Sequence, residues 1–107
     1  MHYFAHYRDF IGVSAERFFK TTIFQSPRML AGMDCLEPGQ RQDAHRHAGR
    51  DKVYFVVSGM GLFHIGDEVQ SCGPGSTIWA PADVAHGVAN TGSETLVMFI
   101  VMAPEPG

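Results

Sequence analysis

What most constrains the fold of this chain is its punctuation. Short apolar or alternating runs, four to eight residues long, are cut by glycine, proline and asparagine turns, and no convincing amphipathic helix separates them. The runs cover Phe18 to Phe24, Met29 to Leu36, Arg41 to His47, Lys52 to Val57, Gly61 to Ile65, Ser76 to Trp79, Val84 to Ala89 and Thr95 to Met102. Between them stand Ser26-Pro27, Pro38-Gly39, Ser58-Gly59, Gly66-Asp67, Gly73-Pro74-Gly75, Pro81-Ala82-Asp83 and Asn90-Thr91-Gly92, each a turn former. Short strands on so regular a spacing predict an all-β sandwich or closed barrel and exclude an α/β fold. The run Lys52 to Val57 is apolar at almost every position, which predicts a strand covered on both faces.

The 107 residues suit one domain spanning 1–107, with 45% apolar residues to build its core. Residues 1–16 mix aromatics, histidines and charges, and are expected to form a short helical turn or an extended arm. This opening lacks the basic start, apolar stretch and cleavage site of a signal peptide, so a cytoplasmic location is expected. No apolar run approaches the ~20 residues that cross a bilayer. A formal net charge of -3 without a basic run gives no footprint for nucleic acid or an anionic membrane. Cys35 and Cys72 are expected to be free, buried thiols.

His45 and His47 lie two apart in a run that reads as strand, so both rings project to one face. Two neutral imidazoles side by side can hold a divalent metal, although an isolated pair of this kind is more often a solvated surface feature. The surroundings add weight. The chain reads Gly39-x5-His45-x-His47, with Gly59 ending the strand that follows, and then Gly75-x5-Pro81-x4-His86-x3-Asn90.

These two stretches resemble the paired motifs of the cupin superfamily, small β-barrels of jelly-roll type, and the resemblance covers about residues 30–102 with its motifs within 39–90. It implies a metal held in the barrel mouth by His45, His47 and His86. The metal would be iron, manganese, nickel or zinc. Cupins usually add a glutamate, and at that position this chain has Lys52. An ammonium about 5 Å from a divalent cation is repelled by roughly 6–7 kcal/mol at an effective dielectric near 20. Lys52 is therefore expected to turn away, lose its proton or share a metal-free site. Asp51 is a candidate fourth ligand only if the strand shifts register. A three-histidine centre with open positions is itself chemically sound. Small cupins are commonly dimeric, so the resemblance also implies a homodimer, with the N-terminal arm laid across a partner's edge strand.

Lys52, Trp79 and Phe99 are candidate substrate-binding residues, the lysine for an anion and the aromatics as pocket walls, with Phe55 and Phe63 fitting either wall or plain core. His64 is a candidate proton shuttle, against the commoner reading of an ordinary strand position. Arg41 and Asp43 share parity with His45 and so reach the pocket if the strand is regular, while Asn90 is expected to hold a turn. The functional expectation is a metal-binding small-molecule cupin, a dioxygenase or related oxidoreductase. Two alternatives stand beside it: a non-catalytic or metal-free pocket for small anions, and an isomerase or epimerase using a histidine base. The second ranks lower because no acid–base pair stands outside the three histidines. No C-x-x-C pair, phosphate-binding glycine loop or G-x-S-x-G elbow is present.

Overall fold

Each apolar run becomes a strand because its alternate side chains find a common interior. The computed structural model describes residues 3–105. After a 3-10 turn at Tyr7–Phe10 come β1 (Phe19–Ser26), β2 (Met29–Leu36), β3 (Arg41–His45), β4 (Asp51–Ser58), β5 (Gly61–Ile65), β6 (Glu68–Cys72), β7 (Thr77–Ala80), β8 (His86–Ala89) and β9 (Leu96–Ala103). They form two antiparallel sheets, one in the order β1-β2-β9-β4-β7 and the other β3-β8-β5-β6. Apart from the β1–β2 and β5–β6 hairpins, successive strands hop from one sheet to the other, which is the jelly-roll arrangement expected from the sequence.

The interior is filled from both sheets by Leu36, Tyr54, Val56, Phe63, Val88, Leu96, Met98 and Ile100. Tyr54 and Phe63 meet edge-on with centroids 5.3 Å apart. Burying side chains of this size stabilises by about 1.5–3 kcal/mol each. A second cluster lies on the outer face of the five-stranded sheet, where Met33, Cys35 and Val97 are covered by Tyr7, Phe10 and Phe99 among others. The arm is tied there by Thr21 Oγ1 donating to the Phe10 carbonyl at 2.6 Å and Gln40 Nε2 donating to the Ser14 carbonyl at 2.7 Å. Tyr7 and Phe10 thus pack on the chain's own sheet, while Tyr3 and Phe4 of the same arm are 73% and 92% exposed. Met1 and His2 lie outside the described residues. The two cysteines are free and sit in different clusters, Cys35 outside and Cys72 inside.

The structure departs from the sequence reading at four places. β6 has no counterpart among the predicted strands; it is polar, exposed at all but Cys72, and forms because Gly66, at φ 59°, makes the two-residue turn that returns the chain onto β5. β4 is buried on one face, at Lys52, Tyr54 and Val56, and only partly covered on the other, where Val57 packs in the outer cluster while Phe55 is 41% exposed. β3 stops at His45 because the residue it faces, His86, is the first of β8, and a bulge between Gln42 and His45 shifts the register of the pair. Gly87 makes that bulge possible: a Cβ there would meet the Gln42 carbonyl oxygen at 2.8 Å and the Ala44 nitrogen at 2.9 Å. Finally, Val84 belongs to the turn preceding β8, in which Asp83 takes φ 67°.

Asn90 does hold the loop after β8. It is 2% exposed, donates from Nδ2 to the carbonyls of Leu36 and Glu94 at 2.7 and 2.8 Å, and accepts from the Gly92 amide at 2.9 Å.

Candidate metal centre

The β3–β8 pairing sets His45 directly opposite His86, and the loop leaving β3 carries His47 back over both. Ring centroids lie 4.6 Å apart for His45 and His47, 4.5 Å for His45 and His86, and 5.1 Å for His47 and His86. One ring nitrogen from each histidine lies within 4.8 Å of the other two. His86 is 1% exposed, and the other two are half-buried.

Backbone carbonyls decide which nitrogen faces the centre. His86 Nδ1 donates to the Val84 carbonyl at 3.1 Å, and His45 Nδ1 donates to the Asp43 carbonyl at 2.7 Å. A carbonyl can only accept, so in the neutral rings both Nε2 atoms are bare lone pairs. His86 Nε2 is the buried side-chain polar atom without a hydrogen-bond partner among the described residues. His45 Nε2 lies 2.9 Å from His47 Nε2, a contact that needs a proton between the two nitrogens when no cation is there. Donors bound to one ion at about 2.1 Å stand about 3.0–3.4 Å apart, so the 2.9 Å pair already has ligand spacing. The donor set fits a borderline divalent metal, with Nδ1–carbonyl bonds orienting two of the three rings.

Electrostatics favour the neutral ring at His47 and His86. Burial, then the neighbouring His45 and His86 rings, then Lys52 and Arg50, lower the His47 pKa to about 4. Burial lowers that of His86 as well, against the pull of its bond to the Val84 carbonyl. Neutral imidazole is the form that binds metal.

Lys52 does not turn away. It is 4% exposed and lines a cavity of about 240 Å³ together with His45, His47, Asp34, Gln42, Lys20, Phe18 and Met102. Its Nζ stands 3.4 Å from Asp34 Oδ2 and 4.5 Å from the Tyr54 ring centroid. Burial pulls the Lys52 pKa down, and Asp34 opposes that pull. The same Asp34 oxygen accepts from Gln42 Nε2 at 2.7 Å, and Gln42 Oε1 accepts from the Tyr54 hydroxyl at 3.2 Å. Asp34, Gln42 and Tyr54 form a buried polar network that the sequence reading did not single out. The available signal was Asp34 itself, a lone acid in the otherwise apolar run Met29 to Leu36.

Other candidates lie elsewhere. Asp51 is exposed on the opposite face of β4, where Oδ1 accepts from the Ala82 amide at 2.8 Å and so braces the loop before β8; β4 keeps its register there and Asp51 stays outside the histidine group. Trp79 is 62% exposed on the outer face of β7, with Ile78 and Ala80 taking the inner positions. Phe99 packs in the outer cluster and Phe55 is on the same outer face, because odd-numbered positions of β4 and β9 point away from the interior. His64 is exposed, since its neighbour Phe63 takes the inward position on β5. Arg41 and Asp43 pair with each other at 2.8 Å on the surface, the bulge having broken their shared parity with His45; Asp43 still lines the rim of the Lys52 cavity, as expected, while Arg41 does not.

A small double-sheet barrel with three convergent histidines at one end is the form of a cupin. Residues 32–102 match the cupin domain family, and the chain belongs to it. A solved structure from Thermus thermophilus shares 35% identity with a TM-score of 0.92, over 96% of this chain and 98% of that one. A 5-nitrosalicylic acid 1,2-dioxygenase from Bradyrhizobium is 29% identical over 71% of this chain, which spans only 36% of the dioxygenase. An oxalate-binding protein of Thermotoga maritima is 26% identical over 78% of this chain and 68% of the relative.

Proposed function

We propose that this cupin holds a divalent transition metal (iron, manganese, nickel or zinc) on His45, His47 and His86 and acts on a small oxygen-bearing molecule as a dioxygenase or related oxidoreductase. The observation that carries the reading is the convergence of the ring nitrogens, above all the buried His86 Nε2 with no partner. An unmet buried acceptor costs about 1–3 kcal/mol, and a cation relieves it. Bound there, a metal supplies Lewis acidity and a template for substrate oxygen, with dioxygen as co-substrate in the oxidative case. The chain's own groups do the rest: Phe18 and Met102 exclude water from one wall of the cavity, and Lys52 draws anionic groups in. The likeness to a nitrosalicylate dioxygenase supports the reaction class.

Elemental analysis of protein purified without a metal-affinity tag tests the centre. About one equivalent of a transition metal in the wild type and almost none in His86→Ala is the expected result, with turnover lost alongside the metal. Turnover that survives in metal-free protein refutes it. The buried Lys52 supports a second reading, a metal-free pocket that binds small anions without converting them. For that reading, the same analysis returns less than about a tenth of an equivalent, since a true site fills when metal is available.

A further inference from the structure

The charges around the cavity are not balanced. Lys52 brings a buried ammonium to the histidine end of the barrel: the Tyr54 ring lies 4.5 Å from Nζ and 6.3 Å from the centre of the His86 ring. The acid facing Lys52 is Asp34, whose Oδ2 is 3.4 Å away. That distance exceeds the 2.7–2.9 Å typical of a charge-assisted bond. The oxygen is already engaged by Gln42 at 2.7 Å. Lys20 stands across from Asp34 in the β1–β2 pairing and lines the same cavity. Asp43, also on the rim, is paired with Arg41. Lys52, buried, and Lys20, exposed, therefore face one carboxylate across the cavity. A cation on the three histidines would find no protein anion among its ligands.

A cationic excess of this kind, with one of its charges buried, calls for an anion from outside. The cavity, about 240 Å³, corresponds to roughly eight water volumes at ~30 Å³ each, so its guest is small. Phe18 and Met102 give it one apolar wall. Three protein donors leave a metal more than one open position, which suits a guest offering two adjacent oxygens.

We propose that Lys52 seats the carboxylate of a small acid bearing a second oxygen beside the carboxylate and a short apolar tail, of the 2-oxo or 2-hydroxy acid class. The guest supplies the negative charge that the protein withholds from its own centre. The second-oxygen requirement rests on the metal reading above; the carboxylate seat rests on Lys52, Lys20 and Asp34.

The test is calorimetric titration of zinc-loaded protein, zinc being redox-inert, with 2-oxobutyrate and with its neutral amide. The wild type is expected to prefer the acid by about tenfold or more. Lys52→Met combined with Asp34→Asn removes the buried pair together, leaves no stranded charge, and is expected to reduce the preference below about twofold while zinc stoichiometry is unchanged. Lys20→Gln, at an exposed position that does not threaten folding, is expected to weaken the acid by about two- to fivefold. Equal binding of acid and amide by the wild type, or a preference that persists in the paired variant, overturns the proposal and leaves the metal centre standing. Zinc that fails to bind in equilibrium dialysis refutes the metal centre instead. Titration of the metal-free protein then decides the carboxylate seat alone, by the same loss of preference in the paired variant.

Discussion

Asp34→Ala isolates the energetics of the buried pair. The substitution leaves Lys52, 4% exposed, with the Tyr54 ring as its remaining cation contact, and strips Gln42 Nε2 of its acceptor. At 3.4 Å and an effective dielectric near 20 the lost attraction is about 5 kcal/mol. Breaking a buried pair in this way typically costs about 3–5 kcal/mol. The loss has a ceiling, because Lys52 can shed its proton. From its ordinary value of 10.5, neutralising the amine at pH 7 costs about 1.36 kcal/mol for each of 3.5 pH units, or about 4.8 kcal/mol. Once the amine is neutral in the folded variant, the unfolded chain binds the extra proton. Stability then rises with pH, by about 1.4 kcal/mol per unit up to the unfolded pKa. Urea unfolding at pH 7, 8 and 9 should therefore show a deficit of about 3–5 kcal/mol that shrinks steadily on going alkaline. The paired Asp34→Asn, Lys52→Met variant should show no such slope. A deficit below about 1 kcal/mol at pH 7, or one indifferent to pH, would refute the account of Lys52 as a buried charge held by Asp34.

Three further outcomes are expected. In metal-free protein His47 titrates near pH 4 against its ordinary 6.5, so the unfolded chain takes up its proton first. Its contribution is intact above pH 6.5 and is lost as the pH falls toward 4. Melting curves in chelator across that range should decline, and less steeply in His47→Gln; a slope unchanged by the substitution contradicts the assignment. Gly87→Ala drives a Cβ against backbone atoms of the β3 bulge and should cost about 1–3 kcal/mol by thermal unfolding. Because that bulge positions His45, zinc affinity should fall as well, and an unaltered affinity would separate the bulge from the site. Asn90→Ala leaves two carbonyls without their donor and should destabilise by about 2–4 kcal/mol, against which a melting temperature within a degree or two of wild type would count.

The histidine constellation was legible because Gly39-x5-His45-x-His47 and Gly75-x5-Pro81-x4-His86 resemble the paired cupin motifs, in which glycine and proline mark the strand ends that bring such histidines to the barrel mouth. Gly39, Gly75 and Pro81 carry that information locally. Lys52 was legible as an anomaly but not in its consequence, since its partner Asp34 lies 18 residues away on β2, and only the insertion of β9 between β2 and β4 sets the two on one face of the five-stranded sheet. Trp79 and Phe99 were misplaced for the opposite reason. On β4, β7 and β9 both faces carry apolar residues, so parity could not distinguish the interior from an outer face partly covered by the arm. β6 escaped notice because Glu68 to Ser71 offer one apolar residue in four and almost no burial; its evidence is hydrogen bonding to β5, which composition does not encode.

That polarity has its own consequence. β6 is the last strand of its sheet, and its free side presents unpaired backbone donors and acceptors to solvent. A longer, apolar strand there would invite another chain to add to the sheet and begin aggregation. Five residues bearing Glu68, Gln70 and Ser71 make a poor template. The segment least recognisable as a strand protects the barrel from growing into a larger sheet.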